Sequence, residues 1–300
     1  MNRHSTVVMT RPTAFAVHYI INPWMQPAQW EHAPEFLRHR AQHCWQQLHD
    51  AMLSQDIAIH LLQPVEGLPD LVFPANGAVV FDRKVLLSRF AHPQRRQEEP
   101  VFRAFFEQLL QRGEIDELSS MPRGIIQEGA GDCLWDAHRD CFWSGFGQRS
   151  QRAGSGAIAW YFDCEVLPLE LTDPRFYHLD VALAVLEKGE LLYYPDAFSR
   201  QALATLRERV PPEHRIEISA EDAAGFCANI VSLNGSLFMT PPGETLRRRL
   251  LERGYRLHEM DLQPFLLSGG AAACLTLRLD LQRNPRTGAN HGDQRHVSYQ

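Results

Sequence analysis

Short apolar runs that alternate with polar residues recur along the chain, and each is followed by a turn and a second run. This pattern is typical of β-hairpins. It predicts hairpins with arms at 78–81 and 85–88, 133–135 and 142–145, 182–186 and 190–194, and 230–233 and 236–239. Single runs predict further strands at 15–21, 57–62 and 71–73.

Apolar residues at helical spacing lie between these strands. They predict helices over 34–53, 98–113, 199–210 and 241–253. Because strands and helices alternate along the whole chain, the pattern places the protein in the α/β class.

A polar residue or a cysteine stands at a strand boundary about every fifty residues. The series is Asn22, Asn76, Asp132, Asp180, Asn229 and Cys274. A unit that returns at this interval indicates radial repetition, in which the series would converge on one axis. The alternative is that asparagine and aspartate at strand ends serve only as turn formers. No linker divides the chain, so we expect one domain over 1–282 and a mobile tail over 283–300.

Composition excludes several functional classes. The 300-residue chain has a formal net charge of -6 and no basic arm, which argues against nucleic acid as the main partner. No run is long enough for a membrane span, and the polar start lacks a signal-peptide core, so we expect a cytoplasmic protein. Six cysteines without C-x-x-C spacing are typical of free thiols. Fourteen histidines without H-E-x-x-H give no support for a metal site, and we expect no cofactor.

Several segments carry residues suited to catalysis. Cys274 lies where a glycine pair and three alanines lead into a strand, so a ligand can approach its sulfur closely. Glu128 precedes a loop of small residues, and His178 and Asp180 alternate, so they would share one face of a strand. A thiol, an imidazole and carboxylates are the groups of nucleophilic catalysis with acid/base assistance. Each also has a structural alternative: an inert packed thiol, a loop cap, or a strand histidine beside an exposed aspartate.

In these segments the chain resembles the guanidine-modifying amidinohydrolases and amidinotransferases. The likeness is carried by Asn22-Pro-Trp-Met, Glu128-Gly-Ala-Gly-Asp, Phe176-Tyr-His-Leu-Asp and Gly269-Gly-Ala-Ala-Ala-Cys-Leu-Thr. The resemblance implies the pentein fold, an α/β five-bladed propeller of ββαβ-type units with pseudo-fivefold symmetry. Within the family the chain is similar to bacterial arginine dihydrolases, which convert arginine to ornithine, carbon dioxide and two ammonia, and to dimethylarginine dimethylaminohydrolases.

The resemblance also implies roles for individual residues. Cys274 would attack the guanidinium carbon as a thiolate and form a covalent thiouronium. His178 would protonate the departing ammonia and then activate water, while Glu128 orients the imidazole. Asp180 would hold the guanidinium nitrogens.

Three further residues would contact the substrate. Arg149 would pair bidentately with the α-carboxylate, although an arginine after such a turn is most often solvated. Asn22 would meet the α-amino end. Asn76 stands where deiminases of this fold carry an aspartate, and its amide can accept from arginine and, when turned, donate to the ureido oxygen of citrulline. We hypothesise that Asn76 thereby permits a second hydrolysis in the same site.

Several activities fit this pattern. Arginine dihydrolysis is the leading hypothesis, and arginine deiminase, methylarginine hydrolase and amidinotransferase activities are alternatives within the family. From another class, a pentein that binds guanidino compounds without turnover, or a ribosome-binding relative, also fits. In each case the expected partner is a small guanidino compound. The sequence leaves the oligomeric state open, a homo-oligomer included.

Overall fold

The computed structural model describes residues 5–283. The tail predicted to be mobile over 283–300 therefore lies, apart from its first residue, outside the described residues. In the described part the strands are β1 (Thr6–Thr10), β2 (Ala58–Leu62), β3 (Ala78–Phe81), β4 (Lys84–Leu87), β5 (Glu117–Ser120), β6 (Cys133–Asp136), β7 (Cys141–Phe146), β8 (Glu165–Glu170), β9 (Leu183–Val185), β10 (Leu191–Tyr193), β11 (Arg215–Glu217), β12 (Val231–Leu233), β13 (Ser236–Met239), β14 (Arg256–Glu259) and β15 (Leu277–Arg278).

Helices of very different length connect the strands. The α-helices are α1 (Pro27–His32), α2 (Pro34–Leu53), α3 (Pro93–Arg96), α4 (Glu99–Gln111), α5 (Arg152–Phe162), α6 (Leu179–Ala182), α7 (Arg200–Arg209), α8 (Ala220–Ala224), α9 (Glu244–Glu252) and α10 (Gln263–Leu266). Short 3-10 helices cover Pro12–Ala14, Pro69–Val72, Pro74–Gly77, Gly129–Asp132, Pro195–Ala197 and Pro212–His214. Within residues 5–283, none of the helices has the length and apolarity needed to cross a bilayer.

The strands form five three-stranded sheets that share one topology. In each sheet the middle strand pairs antiparallel with one neighbour and parallel with the other. Four sheets, β3–β5, β6–β8, β9–β11 and β12–β14, begin with the hairpin and reach the parallel strand through α4, α5, α7 or α9. A parallel pair needs such a crossover. The fifth sheet joins the two ends of the described chain, because β15 pairs with β1, and β1 continues through α2 to β2.

Most predicted elements are confirmed. The hairpin arms differ from the predicted bounds by at most one residue, and the helix predicted over 34–53 is α2. The helices predicted over 98–113, 199–210 and 241–253 correspond to α4, α7 and α9, each slightly shorter. The strand predicted at 57–62 is β2. These elements carry strong apolar periodicity, which is why they were predictable.

Two predicted strands are wrong. Residues 15–21 form no strand: Phe15 and Val17 are buried in irregular chain, and the N-terminal strand is β1, five residues of which pair with β2. Residues 71–73 belong mostly to the 3-10 helix Pro69–Val72. Proline at the start of that helix, and Pro74 directly after 71–73, favour helical turns over a sheet ladder.

Candidate active site

Each sheet is preceded by a turn that leads into its first strand, and the five turns contact one another in a closed ring. The ring is closed by hydrogen bonds from Ala75 N to Cys274 O (3.5 Å), Asn76 Nδ2 to Glu128 O (3.4 Å), Leu179 N to Asp132 Oδ1 (2.9 Å), Asn229 Nδ2 to Asp180 O (3.0 Å) and Cys274 N to Asn229 Oδ1 (3.1 Å). The last five members of the predicted polar series, or their neighbours in the same turns, are therefore in contact around this ring. Asn22, the first member of the series, lies beside the ring, where it donates to Ser268 O.

Cys274 occupies a fixed position in this ring. It lies in the turn before β15 and is 2% exposed. Its Sγ donates to Asp180 Oδ2 at 3.2 Å and accepts from Asn229 Nδ2 at 3.2 Å. Asn229 also holds the turn, because its Oδ1 accepts from the N–H groups of Ala271 and Cys274, both at 3.1 Å. The sulfur is thus held between a carboxylate and an amide donor.

The environment of Cys274 keeps its thiol protonated when no cation is near. Burial and then the charge of Asp180 raise the pKa of Cys274 well above its ordinary value. Burial also raises the pKa of Asp180 to about 7. A cationic ligand beside the pair would lower the pKa of both groups and favour thiolate and carboxylate. Asp180 Oδ1 has no hydrogen-bond partner among the described residues and is therefore free to accept from such a ligand.

His178 lies between Glu128 and Asn76. Its Nε2–H donates to Glu128 Oε2 at 2.7 Å, and its Nδ1 faces Asn76 Nδ2 at 3.4 Å. The prediction that His178 and Asp180 share a strand face is wrong, because the chain enters the short helix α6 directly after His178. The helical turn directs the two side chains to different partners, His178 to Glu128 and Asp180 to Cys274.

Glu128 is a buried carboxylate with several donors around it. Its Oε1 accepts from Ala91 N at 2.9 Å, and its Oε2 accepts from Arg149 Nη1 at 3.0 Å as well as from His178. Burial acts to raise the pKa of Glu128, but Arg149, His178 and Arg95 outweigh it and lower that pKa below its ordinary value. A carboxylate that stays ionised fixes both the tautomer and the orientation of the imidazole.

A cavity opens onto Cys274. It is lined by Ile21, Asn22, Asp70, Phe73, Asn76, Arg95, Arg149, Tyr177, Ser268 and Cys274. Four predicted site residues are among these, and the other three, Glu128, His178 and Asp180, contact them directly. The structure therefore brings all seven predicted residues together.

Arg149 is part of this wall and is not solvated. It is 6% exposed, its Nη2 donates to Ile21 O at 2.8 Å, and its guanidinium lies 4.8 Å from the centre of the Tyr177 ring. Together with the bond to Glu128, these contacts place a fixed positive charge beside the cavity.

Asn22 ties the segment after β1 to the glycine turn before Cys274. Its Nδ2 donates to Ser268 O at 3.0 Å, and its Oδ1 accepts from Trp24 N at 2.9 Å. Gly269 packs against it with φ +91°, and a Cβ there would lie 2.8 Å from Asn22 Oδ1 and 2.9 Å from the Tyr177 hydroxyl. The glycine is therefore required for this close approach.

Asp70, Arg95 and Asn229 belong to the site but are not among the site residues predicted from the sequence. Asp70 lies in the cavity, where its Oδ2 accepts from the Tyr19 hydroxyl at 2.8 Å and its Oδ1 from the Ser268 hydroxyl at 3.3 Å. Arg95 lies in the wall, and Asn229 holds the cysteine turn. Asn229 belonged to the repeating series, which was a usable signal. Asp70 and Arg95 gave none, because each stands among residues typical of an ordinary turn or a charged surface run.

The described residues contain no group of three histidine, cysteine, aspartate or glutamate side chains placed to hold a metal ion. All six cysteines are free. Five of them lie outside the cavity: Cys44, Cys133, Cys141, Cys164 and Cys227.

The sequence is similar to enzymes that act on guanidino compounds. Residues 11–281 match the family of N,N-dimethylarginine dimethylhydrolases of the eukaryotic type. The chain belongs to this family. It is 39% identical, over 91% of its length, to the bifunctional arginine dihydrolase/ornithine cyclodeaminase ArgZ of Synechocystis, and it spans 37% of that relative. It is 33% identical to the N(G),N(G)-dimethylarginine dimethylaminohydrolase of Mycobacterium tuberculosis, with 90% of this chain and 84% of that protein covered.

Solved structures of members of this pentein-fold family are similar over most of the chain. The N-terminal domain of ArgZ bound to product, an arginine dihydrolase from the ornithine-ammonia cycle in cyanobacteria, has a TM-score of 0.87 and 36% identity, with 94% of this chain and 100% of that chain covered. AgrE of Nostoc is another bifunctional arginine dihydrolase/ornithine cyclodeaminase. The complex of an AgrE mutant with L-arginine has a TM-score of 0.88 and 37% identity, with 94% of this chain and 41% of that chain covered. The shared fold is mixed α/β with small sheets.

Proposed function

We propose that the protein is an arginine dihydrolase, which converts arginine and two water molecules to ornithine, carbon dioxide and two ammonia through a covalent thiouronium on Cys274. The observation that carries the proposal is the position of the Cys274 sulfur. It lines a cavity with a fixed cation in its wall and contacts Asp180 and Asn229 at 3.2 Å each. A carboxylate beside a thiol suits a guanidinium, which is always cationic and needs a strong nucleophile.

The first hydrolysis uses the substrate's own charge. As the guanidinium enters, it lowers the pKa of Cys274, and the thiol gives up its proton to solvent. Sγ then forms a bond to the guanidinium carbon, His178 donates a proton to one nitrogen, and ammonia leaves. Water activated by His178 adds to the thiouronium carbon, the C–S bond breaks, and citrulline is formed. Glu128 would keep the imidazole in place through both proton transfers.

The ends of the substrate would be held by opposite charges. Arg149 would pair with the α-carboxylate, for which a guanidinium offers two parallel donors. Asp70, a buried carboxylate in the same cavity, would accept from the α-ammonium group. Asn22 would share that end through its Oδ1, which has a second lone pair beyond the bond to Trp24.

The second hydrolysis would depend on Asn76. Citrulline presents a carbonyl oxygen where arginine presents an N–H group. An asparagine amide can donate a hydrogen bond to that oxygen, whereas an aspartate carboxylate would repel it. This is the feature that favours dihydrolase over deiminase activity.

We further propose that the five sheets are the blades of an α/β propeller with pseudo-fivefold symmetry, formed by one domain over 1–282. The common ββαβ topology and the closed ring of turns support this arrangement. The site would then lie on the propeller axis. A cytoplasmic location and a small guanidino substrate are part of the same proposal.

A second candidate activity stops at citrulline, with arginine or dimethylarginine as the substrate. It is favoured by the similarity to the Mycobacterium tuberculosis enzyme, of which the chain covers 84%. Binding without turnover is disfavoured, because the Cys274 thiol lines the cavity and the imidazole and carboxylates contact its lining residues.

Product analysis tests the proposal. The purified protein is incubated separately with arginine, citrulline and dimethylarginine, and the products are measured by mass spectrometry with ammonia release. Dihydrolase activity predicts ornithine from both arginine and citrulline, with two ammonia per arginine. Citrulline as the end product would support the second candidate, and no turnover of any compound would contradict both.

A further inference from the structure

Asn229 lies beside Cys274 in the ring of turns and has no part in the mechanism described above. Its side chain is fully buried, and it stands just before β12, as Asn76 stands just before β3. An asparagine at such a place often serves only to form the turn. The hydrogen bonds of the Asn229 side chain, however, all run to the two neighbouring turns, which carry Asp180 and Cys274.

The acceptors of Asn229 hold the turn that carries Cys274. Oδ1 accepts from Ala271 N and Cys274 N, both at 3.1 Å, and the main-chain oxygen accepts from Ala273 N at 3.3 Å. An amide oxygen has two lone pairs, and the two donors to Oδ1 use both of them. If the amide were turned, its NH₂ group would face two N–H groups, so Nδ2 is fixed on the opposite side.

Nδ2 has two hydrogens and faces two acceptors. It donates to Asp180 O at 3.0 Å and to Cys274 Sγ at 3.2 Å. A thiol sulfur is a weak acceptor, whereas a thiolate is a charged acceptor that forms a stronger hydrogen bond. The contact between Nδ2 and Sγ therefore gains strength when the sulfur loses its proton.

The contacts of the sulfur act on its ionisation in opposite directions. Burial, and then Asp180, whose Oδ2 accepts from Sγ at 3.2 Å, raise the pKa of Cys274. The N–H group of Ala271 and the amide of Asn229 lower that pKa, because they stabilise the thiolate. Asn229 is thus a neutral group that favours the reactive form of the nucleophile.

Titratable groups also lie near the sulfur on the cavity side. Burial raises the pKa of the Tyr177 hydroxyl well above its ordinary value, so this group stays neutral in the cavity. The imidazole of His178 is directed to Glu128. The remaining charged side chains of the cavity lining are Asp70, Arg95 and Arg149.

We propose that Asn229 is a catalytic residue whose amide donates to the Cys274 sulfur and stabilises the negative charge that the sulfur carries before attack and after release of the product. This inference rests on the proposed function, because that function makes Cys274 the nucleophile. Before attack the thiol has lost its proton to solvent, and an electron pair of Sγ forms the C–S bond. After water has added, the C–S bond breaks and the pair returns to Sγ. A sulfur anion is therefore stabilised twice in each hydrolysis by a donor that needs no rearrangement.

The test measures ionisation of the thiol without any substrate. Iodoacetamide alkylates the thiolate and not the thiol, so the rate of Cys274 alkylation is followed against pH by mass spectrometry of its peptide. Asn229→Ala removes the donor and adds no charge. Asn229→Asp keeps an acceptor for the two N–H groups of the cysteine turn, but as a carboxylate it cannot donate. The second variant therefore separates the bond to sulfur from support of the turn.

We expect Asn229→Ala to shift the pH dependence of alkylation upward by about one pH unit, which lowers the rate about tenfold at about pH 8. Asn229→Asp should shift it at least as far, because a carboxylate adds a second negative charge near the sulfur. With arginine as substrate, both variants should lower kcat and change KM little, since Asn229 does not line the cavity.

The matched control is Ser232→Ala. Ser232 is another buried polar residue of the same segment, its Oγ accepts from Glu187 N at 3.1 Å, and it lies outside the lining of the cavity at Cys274. The control should leave both the alkylation profile and kcat unchanged.

An alkylation profile of Asn229→Asp that matches the unmodified protein would show that the residue only supports the turn, and would overturn the proposal. An equal shift in Ser232→Ala would overturn it as well. Product analysis of the unmodified protein separates these results from a failure of the proposed function. If no guanidino compound is turned over, the proposed function and the catalytic role of Asn229 fail together. If product forms while alkylation is unchanged in the variants, only the role of Asn229 is overturned.

Discussion

The ring of turns borders two cavities of opposite character. The lining of the cavity at Cys274 contains Asp70, Asn76, Arg95 and Arg149. A second, larger cavity is lined largely by small and apolar side chains and shares no lining residue with the first. Its lining includes Ala75, Ala130, Leu183, Ala228 and Ala273.

The two cavities differ in polarity because adjacent residues of the same turn line different cavities. Ala75 lines the large cavity and Asn76 the small one, and Ala273 and Cys274 are divided in the same way. Asp180 is the exception, since it lines the large cavity while its Oδ2 accepts from Cys274 in the small one. The charged and polar groups therefore distinguish the cavity at Cys274 as the candidate active site. Cavity size does not, because the other cavity is the larger one.

The largest expected effect comes from removing the nucleophile of the small cavity. Cys274→Ser should lower the rate of ammonia release from arginine by at least about 10⁴-fold, because a buried hydroxyl is not ionised at neutral pH. Cys227→Ser, which alters another buried free thiol away from the cavity, should retain activity. Comparable activity in the two variants would contradict the assignment.

The next effect concerns the products. Asn76→Asp removes the donor to the ureido oxygen and should lower ornithine formation by about 10²-fold, so that citrulline accumulates. Time-resolved mass spectrometry of arginine turnover measures both products. Continued ornithine formation without citrulline would count against the role of Asn76.

Substitutions that enlarge one side chain beside each cavity should affect catalysis differently. At Gly131 a Cβ would lie 2.2 Å from Asn76 Nδ2 and 3.4 Å from His178 Nδ1, so Gly131→Ala must displace the amide. We expect kcat/KM to fall by about 10- to 100-fold. Ala184→Val places two additional carbon atoms in the large cavity and should leave kcat/KM unchanged. An equal loss in both variants would show that the cavities are not functionally distinct.

The smallest expected effect is on stability and depends on pH. Burial raises the pKa of Asp180 to about 7, against about 3.9 in an unfolded chain. Between these values the folded protein holds a proton that the unfolded chain has released, so the group lowers stability as the pH rises. Relative to the unmodified protein, Asp180→Asn should gain on the order of 2 kcal/mol of unfolding free energy between about pH 5 and about pH 8. Urea denaturation at both pH values measures this, and a pH-independent difference would contradict it.

Much of the fold was predictable because the hairpins carry strong alternation and the long crossover helices carry strong apolar periodicity. The third strand of most sheets was not predicted. β14, for example, is Arg256–Glu259, has no buried residue and therefore lacks an apolar pattern. The strand predicted over residues 15–21 was wrong because Phe15 and Val17 are buried without pairing in a sheet.

The site was predictable where a residue followed a recurring turn. Asn76, Asp180 and Cys274 stand at equivalent places before a first strand, so spacing alone placed them together. Arg95 follows no such rule, because its position is fixed by the Glu98 contact, the Phe90 ring and the amide that it faces. Those contacts exist only once the fold brings separate turns together.

The most direct test of the central claim is to trap the covalent intermediate. The protein is mixed with arginine, quenched in acid within the first turnovers, digested and examined by peptide mass spectrometry. We predict an adduct on the peptide that contains Cys274, with the mass of arginine less one ammonia, which Cys274→Ser abolishes. Turnover to ornithine with no such adduct at any quench time, or an adduct on a different cysteine, would contradict the account.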